Sequence, residues 1–305
     1  MNNSTNNEMQ DFYSSHSCIT DPGKHTALLD GLPSDVPELV SIVQGLILHI
    51  HWAEKYGVFP SDQRKQETNL RAVSRQLEQI KKLDTATLNV SRPLENRLLG
   101  TCRDFSVLLC ALLRHQGLSA RPRCGFGTYF LSGQYEDHWI CEYWETDEQR
   151  WVTVDAQLDE FQCQTLGIDF DPLDMPAGLF LTGGNAWQMC RTENADSDKF
   201  GIFDMHGLWF VRGNLVRDVA SLNKMELLPW DCWALSTGDD EDLSDDDFAL
   251  LDQVAPLTLP DNFSFSDLCS IYKTNKGLIV PPVISSFIGG RFQEVDLTKD
   301  CASIF

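Results

Sequence analysis

GTCRDFSVLLCALLRHQGLSARPRCGFG, residues 100–127, changes its pattern once, at Gly117. Before that glycine the apolar positions of CRDFSVLLCALLRHQG are dense enough for a buried helix, and Gly117 is a natural stop signal for it. After it come three segments rich in β-branched and aromatic residues, Arg121 to Leu131, His138 to Glu145 and Arg150 to Ala156. Thr146 to Gln149 fits a hairpin turn between the last two. A helix followed by an antiparallel meander predicts an α+β fold, and no alternation of strand and helix suggests a doubly wound sheet.

Upstream, Ser34 or Asp35 caps a helix with Pro37 in its first turn, running through Leu39, Ile42, Leu46 and His49 toward Gly57. Residues 62–83 place Leu70, Val73, Leu77 and Ile80 at helical spacing, so an amphipathic helix with one solvated, charged face is expected. Residues 1–33 are polar with little periodicity and read as a loosely ordered N-terminal arm. Downstream, Ala186 to Arg191 and Arg217 to Leu228 are helix candidates, whereas Gly201 to Gly213 is aromatic and broken by glycines. The acidic run Ser236 to Asp247, which contains GDDEDLSDDD, reads as a solvated loop or linker; it lacks the glycine and terminal glutamate of an EF-hand at the required positions. The domain reading is an arm at 1–33, a core at 34–175, and an α/β extension at 176–305, either a separate domain or a cap over the cleft.

A chain of 305 residues, 42% hydrophobic, can bury a sizeable core without staples. Its formal net charge of −21 sets a repulsive field against phosphates, so neither nucleic acid nor an anionic membrane surface is an expected partner. Arg114, Arg121 and Arg123 lie close in sequence and read as ordinary surface arginines. MNNSTNNEMQDFYSSHS, residues 1–17, has no leader pattern, and Val40 to Trp52 is too short for a bilayer, so a cytoplasmic location is expected. The ten cysteines are scattered with no CxxC pair, so most should be reduced and no metal site or cofactor is expected. His49 and His51, set on a helix, would point to different faces.

Three short segments carry chemistry. Cys102 sits at the expected start of the buried helix, where unpaired backbone N–H groups and the helix dipole favour thiolate and offer a donor to an oxyanion. Asp104, in the same turn, would slightly oppose that charge. His138, in Asp137-His138-Trp139, stands on a strand with an indole beside it, a rigid mount for a general base. Asp155 ends the apolar strand Trp151-Val152-Thr153-Val154 and could fix the tautomer of a histidine. Cys110, Cys124 and Cys141 read as core residues, and Trp187, Phe203, Trp209 and Phe210 chiefly as a second core. Asn96 and Trp52 are upstream candidates for a second oxyanion donor.

GTCRDFSVLLCALLRHQGLSARPRCGFG, DHWICEYW (137–144) and RWVTVDAQLD (150–159), in that order, resemble the three blocks of the transglutaminase-like superfamily. The resemblance covers roughly residues 90–160 and implies a papain-like core, with N-terminal helices and a nucleophile helix packed on an antiparallel sheet. It assigns nucleophile, base and orienting acid to Cys102, His138 and Asp155. The function it implies is acyl transfer or hydrolysis at an amide, ester or thioester. The substrate would be a protein, a peptide or a small acyl compound. Amide formation on carrier-protein-bound thioesters and a non-catalytic binding scaffold are the alternatives.

Overall fold

Residues 3–192, 195–260 and 263–301 are described in a computed structural model, with side chains from Glu8 onward. They divide into two units. Gln10–Pro122 and Ile140–Met175 form what we call the Cys102 unit; Met1–Met9, Arg123–Trp139 and Pro176–Phe305 form the His138 unit. Helices mixed with antiparallel strand pairs in each make the fold α+β.

In the Cys102 unit, α1 (Asn3–Ser14) ends with Tyr13 fully buried and edge-on to Trp151, ring centroids 5.7 Å apart. Ile19 and Leu29 are also fully buried, so the polar stretch expected to be loose is anchored by its few large apolar residues. Helix α2 (Val36–Leu46) starts after Asp35 with Pro37 in its first turn, as its sequence predicts. It stops at Leu46 rather than continuing toward Gly57. Ile47 is extended (φ −115°, ψ 142°), and β1 (Ile47–His49) pairs in parallel with β2 (Leu98–Gly100), His49 standing in register with Gly100. Residues 62–83 are likewise two pieces, α3 (Asp62–Lys65) and α4 (Val73–Leu83). The cause lies at Glu67, which is buried, accepts the Leu99 N–H at 2.9 Å and is gripped by Arg64 at 2.5 Å. A charge expected in solvent instead ties the α3–α4 connection to β2.

Helix α5 (Cys102–His115) is buried at every residue from Cys102 to Arg114 and packs on α2 and α4. Its stop is Gly117 at φ +80°, a left-handed position that glycine adopts without strain. Strands β3 (Ala120–Gly127) and β4 (Tyr135–Glu145) each pass from one unit into the other. In the Cys102 unit β4 pairs with β5 (Arg150–Val154) as the expected hairpin, from Cys141 opposite Val154 to Glu145 opposite Arg150. Asp159 caps the short α6 (Glu160–Leu166) by accepting the Gln162 N–H at 2.9 Å.

The three neighbouring arginines are buried, contrary to the expectation of surface residues. Arg114, 3% exposed, donates to the carbonyls of Tyr13 and Ala120 and to Thr20 Oγ1. Arg121 meets Glu142 at 2.6 Å and lies over the Trp151 ring at 4.0 Å. Arg123, in the His138 unit, holds both carboxylate oxygens of Asp218, at 2.9 and 2.8 Å. Each finds a partner far away in sequence, which is what makes a buried guanidinium tolerable.

In the His138 unit, β3 pairs with β6 (Phe180–Thr182), and the start of β4 pairs with β7 (Phe200–Ile202), which turns into β8 (Met205–His206). Helix α7 (Gly183–Thr192) packs on α8 (Leu208–Leu222). The latter starts well before Arg217 and takes in Gly213, so the segment expected to be glycine-broken is partly helical. Trp187 and Phe210 are buried as core residues, whereas Phe203 and Trp209 are 63% and 40% exposed. A three-stranded sheet follows the order β11-β10-β9, from β9 (Asp231–Cys232), β10 (Val283–Ile288) and β11 (Arg291–Asp296). The acidic run does not stay a loop: Ser244 caps α9 (Asp245–Val254), whose first turn is Asp245, Asp246 and Asp247. Negative charge is favourable at a helix N-terminus. Helices α10 (Phe265–Thr274) and α11 (Thr298–Cys301) complete the described elements, and no described helix is long and apolar enough to cross a membrane.

Candidate functional site

Thr101 is extended (φ −115°, ψ 177°), and Cys102 is the first residue of α5, its side chain 7% exposed. At that position the thiol lies at the positive end of the helix dipole. Asp104 closes the turn: its Oδ2 accepts the Thr101 N–H at 2.8 Å, and its Oδ1 takes Gln76 Nε2 and Arg103 Nη1, each at 2.9 Å. Burial pushes the Asp104 carboxyl up, while Arg103 and the Thr101 hydrogen bonds pull it back. The negative charge that would oppose a thiolate is therefore met locally. Gly100 permits this close turn, since a Cβ there would stand 2.9 Å from Asp104 Cβ and 3.0 Å from Ile47 Cγ2.

Asp155 follows β5 directly and is fully buried. Its Oδ1 accepts the Gln157 N–H at 3.0 Å, and its own N–H donates to Pro172 O at 2.9 Å. Gln44 Nε2 reaches from α2 to the carbonyls of Ala156 and Leu158, at 3.3 and 3.2 Å, and pins the loop that carries the carboxylate. By contrast with Cys102, the core cysteines Cys110 and Cys141 lie mid-element and are fully buried, and burial holds the Cys141 thiol well above its usual range.

His138 belongs to the His138 unit, on β4, 2% exposed. Its ring meets Phe130 edge-on at 4.8 Å and Tyr129 at 6.0 Å. Two aromatic walls restrict its rotation and its water. Asp137 beside it accepts Asn214 Nδ2 at 2.7 Å, and burial raises its carboxyl. The structure thus sets Cys102 and Asp155 in one unit and His138 in the other.

Of the upstream candidates, Trp52 is 8% exposed, with Lys55 Nζ 4.0 Å from its ring, and Asn96 ends a 3-10 turn just before β2. The sequence sets His49 on a helix. On β1 it stands level with Gly100, its ring 6.4 Å from that of Phe105, one turn past Cys102 on α5. The missing signal was the pairing of β1 with a strand distant in sequence. Among the described residues, no three His, Cys, Asp or Glu side chains gather as a metal site.

Residues 61–156 match the model of the Transglutaminase-like superfamily, a segment that contains Cys102, His138 and Asp155. Over that segment helices and antiparallel strands mix, as in an α+β fold. Among solved structures, "a Putative Cysteine Protease from Cytophaga hutchinsonii" is similar at 16% identity and a TM-score of 0.33. The likeness covers 52% of this chain and 43% of that one, less than half of its length. No match is found among curated proteins.

Proposed function

We propose that the protein is a thiol enzyme that forms an acyl intermediate on Cys102, with His138 as general base and acid and Asp155 as the carboxylate that orients it. The observation that carries this reading is Cys102 as first residue of a buried, capped helix within the segment that matches the transglutaminase-like model. A thiol there is biased toward thiolate, and its own backbone N–H serves as a first oxyanion donor.

In the proposed cycle His138 takes the Cys102 thiol proton and the sulfur attacks the carbonyl carbon of an amide, ester or thioester. The C–S bond forms, and the bond to the leaving amine, alcohol or thiol breaks as His138 delivers it a proton. Water or an amine then attacks the thioester, His138 takes the incoming proton, and Cys102 is released. Water as acceptor gives hydrolysis and an amine gives transfer. The substrates fitting this chemistry are proteins, peptides or small acyl compounds, thioesters on a carrier protein included.

Intact-mass measurement after incubation with a panel of acyl amides, esters and thioesters tests the reading. An adduct on the parent protein that is absent from Cys102→Ala supports it. If no donor gives an adduct and the Cys102 thiol alkylates no faster than Cys163, the fold is serving as a scaffold instead.

A further inference from the structure

A cavity of about 540 Å³ opens in the Cys102 unit between α2 and α6, its walls including Ser41, Gln44, Ser91, Arg97, Phe161 and Gln164. A separate, much smaller pocket of about 10 Å³ shares Gln44, Arg97 and Asp159 with it and is lined by Phe105, on the helix of Cys102, and by Gln157, whose N–H holds Asp155. The cavity therefore adjoins two of the proposed functional segments, and its volume is in the range of small-ligand sites.

The fold leaves specific bonding capacity unused there. Arg97 donates Nε to Arg92 O at 3.0 Å and Nη2 to Ser91 Oγ at 3.3 Å, and Nη1 makes no hydrogen bond to any described residue. Gln44 spends its Nε2 on the Asp155 loop, and its Oε1 accepts nothing from the described residues. The neighbouring carboxylates are occupied: Asp159 accepts Tyr56 O–H at 2.6 Å and the Gln162 N–H at 2.9 Å, and Glu160 accepts Gln164 Nε2 at 3.1 Å. Phe161, 40% exposed and backed by Tyr56 at 4.6 Å, supplies an apolar wall. The cavity thus presents one guanidinium N–H, one amide acceptor and one aromatic face, beside the carboxylates of Glu160 and of Asp159, whose charge already acts on Arg97.

We propose that this cavity binds an α-carboxylate that is followed by an amide N–H and carries an apolar side chain, as at a peptide C-terminus or in an N-acyl amino acid. The carboxylate meets Arg97, the amide N–H meets Gln44 Oε1, and the side chain lies on Phe161. Burial has already stripped part of the water from Arg97, which strengthens a charge-assisted hydrogen bond to a carboxylate. The proposal concerns binding alone and does not rest on acylation of Cys102.

The test uses the full chain carrying Cys102→Ala, so that turnover plays no part, titrated calorimetrically with N-acetyl-leucine, the tripeptide Ala-Ala-Leu and N-acetyl-leucinamide. Both carboxylates are expected to bind, and the amide at least about tenfold more weakly, the scale of one charge-assisted hydrogen bond. A tripeptide much tighter than N-acetyl-leucine identifies a peptide terminus as the ligand; equal affinities identify the N-acyl amino acid. Arg97→Gln should abolish the preference for carboxylate over amide. Because Arg97 also ties down Ser91 and Arg92, Phe161→Ala serves as the second variant, with binding of both carboxylates expected to weaken several-fold. Equal binding of carboxylate and amide, binding indifferent to Phe161→Ala, or no binding of any probe by the folded protein would overturn the proposal.

Discussion

The backbone N–H of Thr101 donates to Oδ2 of Asp104 at 2.8 Å, and this one bond fixes how the chain enters the helix that begins at Cys102. The same carboxylate also neutralises Arg103, which is fully buried. Asp104→Ala would leave that guanidinium without its carboxylate, and the loss of stability should be about 3–5 kcal/mol, the scale for removing one partner of a buried pair. Asp104→Asn keeps an acceptor for Thr101 and should lose less. Urea unfolding of the two variants checks the order. Equal losses would mean that the charge, which Asn lacks, accounts for the whole effect and the retained acceptor for none of it.

Replacement of the proposed base separates chemistry from folding. His138→Ala should lower acylation of Cys102 by about 10²–10⁴-fold, the range for removal of a general acid–base group. It should also slow alkylation of Cys102 by iodoacetamide near neutral pH. Retention of the parent's alkylation rate would detach His138 from Cys102. His49→Ala, Trp52→Phe and Asn96→Ala address the second oxyanion donor, and the one that lowers turnover while leaving thiol alkylation unchanged holds that role.

What the sequence could tell was set by how local each cause is. Helix α5, its glycine stop and the β4–β5 hairpin are legible because periodicity and turn residues lie within the segments themselves. Cys102 at a helix start and Asp155 at a strand end follow from the same patterns. The departures at Ile47, Arg121 and Arg123 have partners distant in sequence. Ile47 leaves the helix because Leu98–Gly100 offers it a parallel ladder, and no window around Ile47 contains that strand. Arg121 and Arg123 look solvated until Glu142 and Asp218 are brought to them. Gly213 marks a break by propensity, yet it stands inside α8, where a Cβ would come within 2.7 Å of Arg217 Nη1. At Ile47, Arg121 and Arg123 tertiary packing overrides a local preference.

Asp218 anchors more than one element, since it accepts Arg123 through both oxygens and also takes the Cys124 N–H at 3.0 Å, while Arg123 reaches Thr258 O at 2.8 Å. All of this is fully buried. Asp218→Ala should therefore destabilise by about 3–5 kcal/mol, and Arg123→Lys, which cannot make the forked contact, by a smaller but clear amount. Thermal unfolding of both variants provides the check. A surface pair such as Arg150 with Asp174 is the control, because exposed pairs contribute no more than about 1 kcal/mol.

Asp137 should leave a mark on the pH dependence of stability. It is 8% exposed, and burial raises its carboxyl above the usual range, with Asn214, Arg217 and His138 pulling it back in that order. A raised pKa means that the folded state holds the proton more tightly than the unfolded chain. The stability from that proton is complete below the unfolded value, about 3.9, and is lost as the pH rises through the folded value. Asp137→Asn keeps the acceptor for Asn214 but carries no titrating proton, so it should lack this decline. Urea unfolding of parent and variant at steps between about pH 3.5 and 7 isolates the effect, because every other carboxyl is common to both. The parent should lose stability relative to the variant as pH increases across that window. A difference that stays constant would show that Asp137 titrates alike in both states, and a difference of opposite slope would show that its partners hold the charge more strongly than burial opposes it.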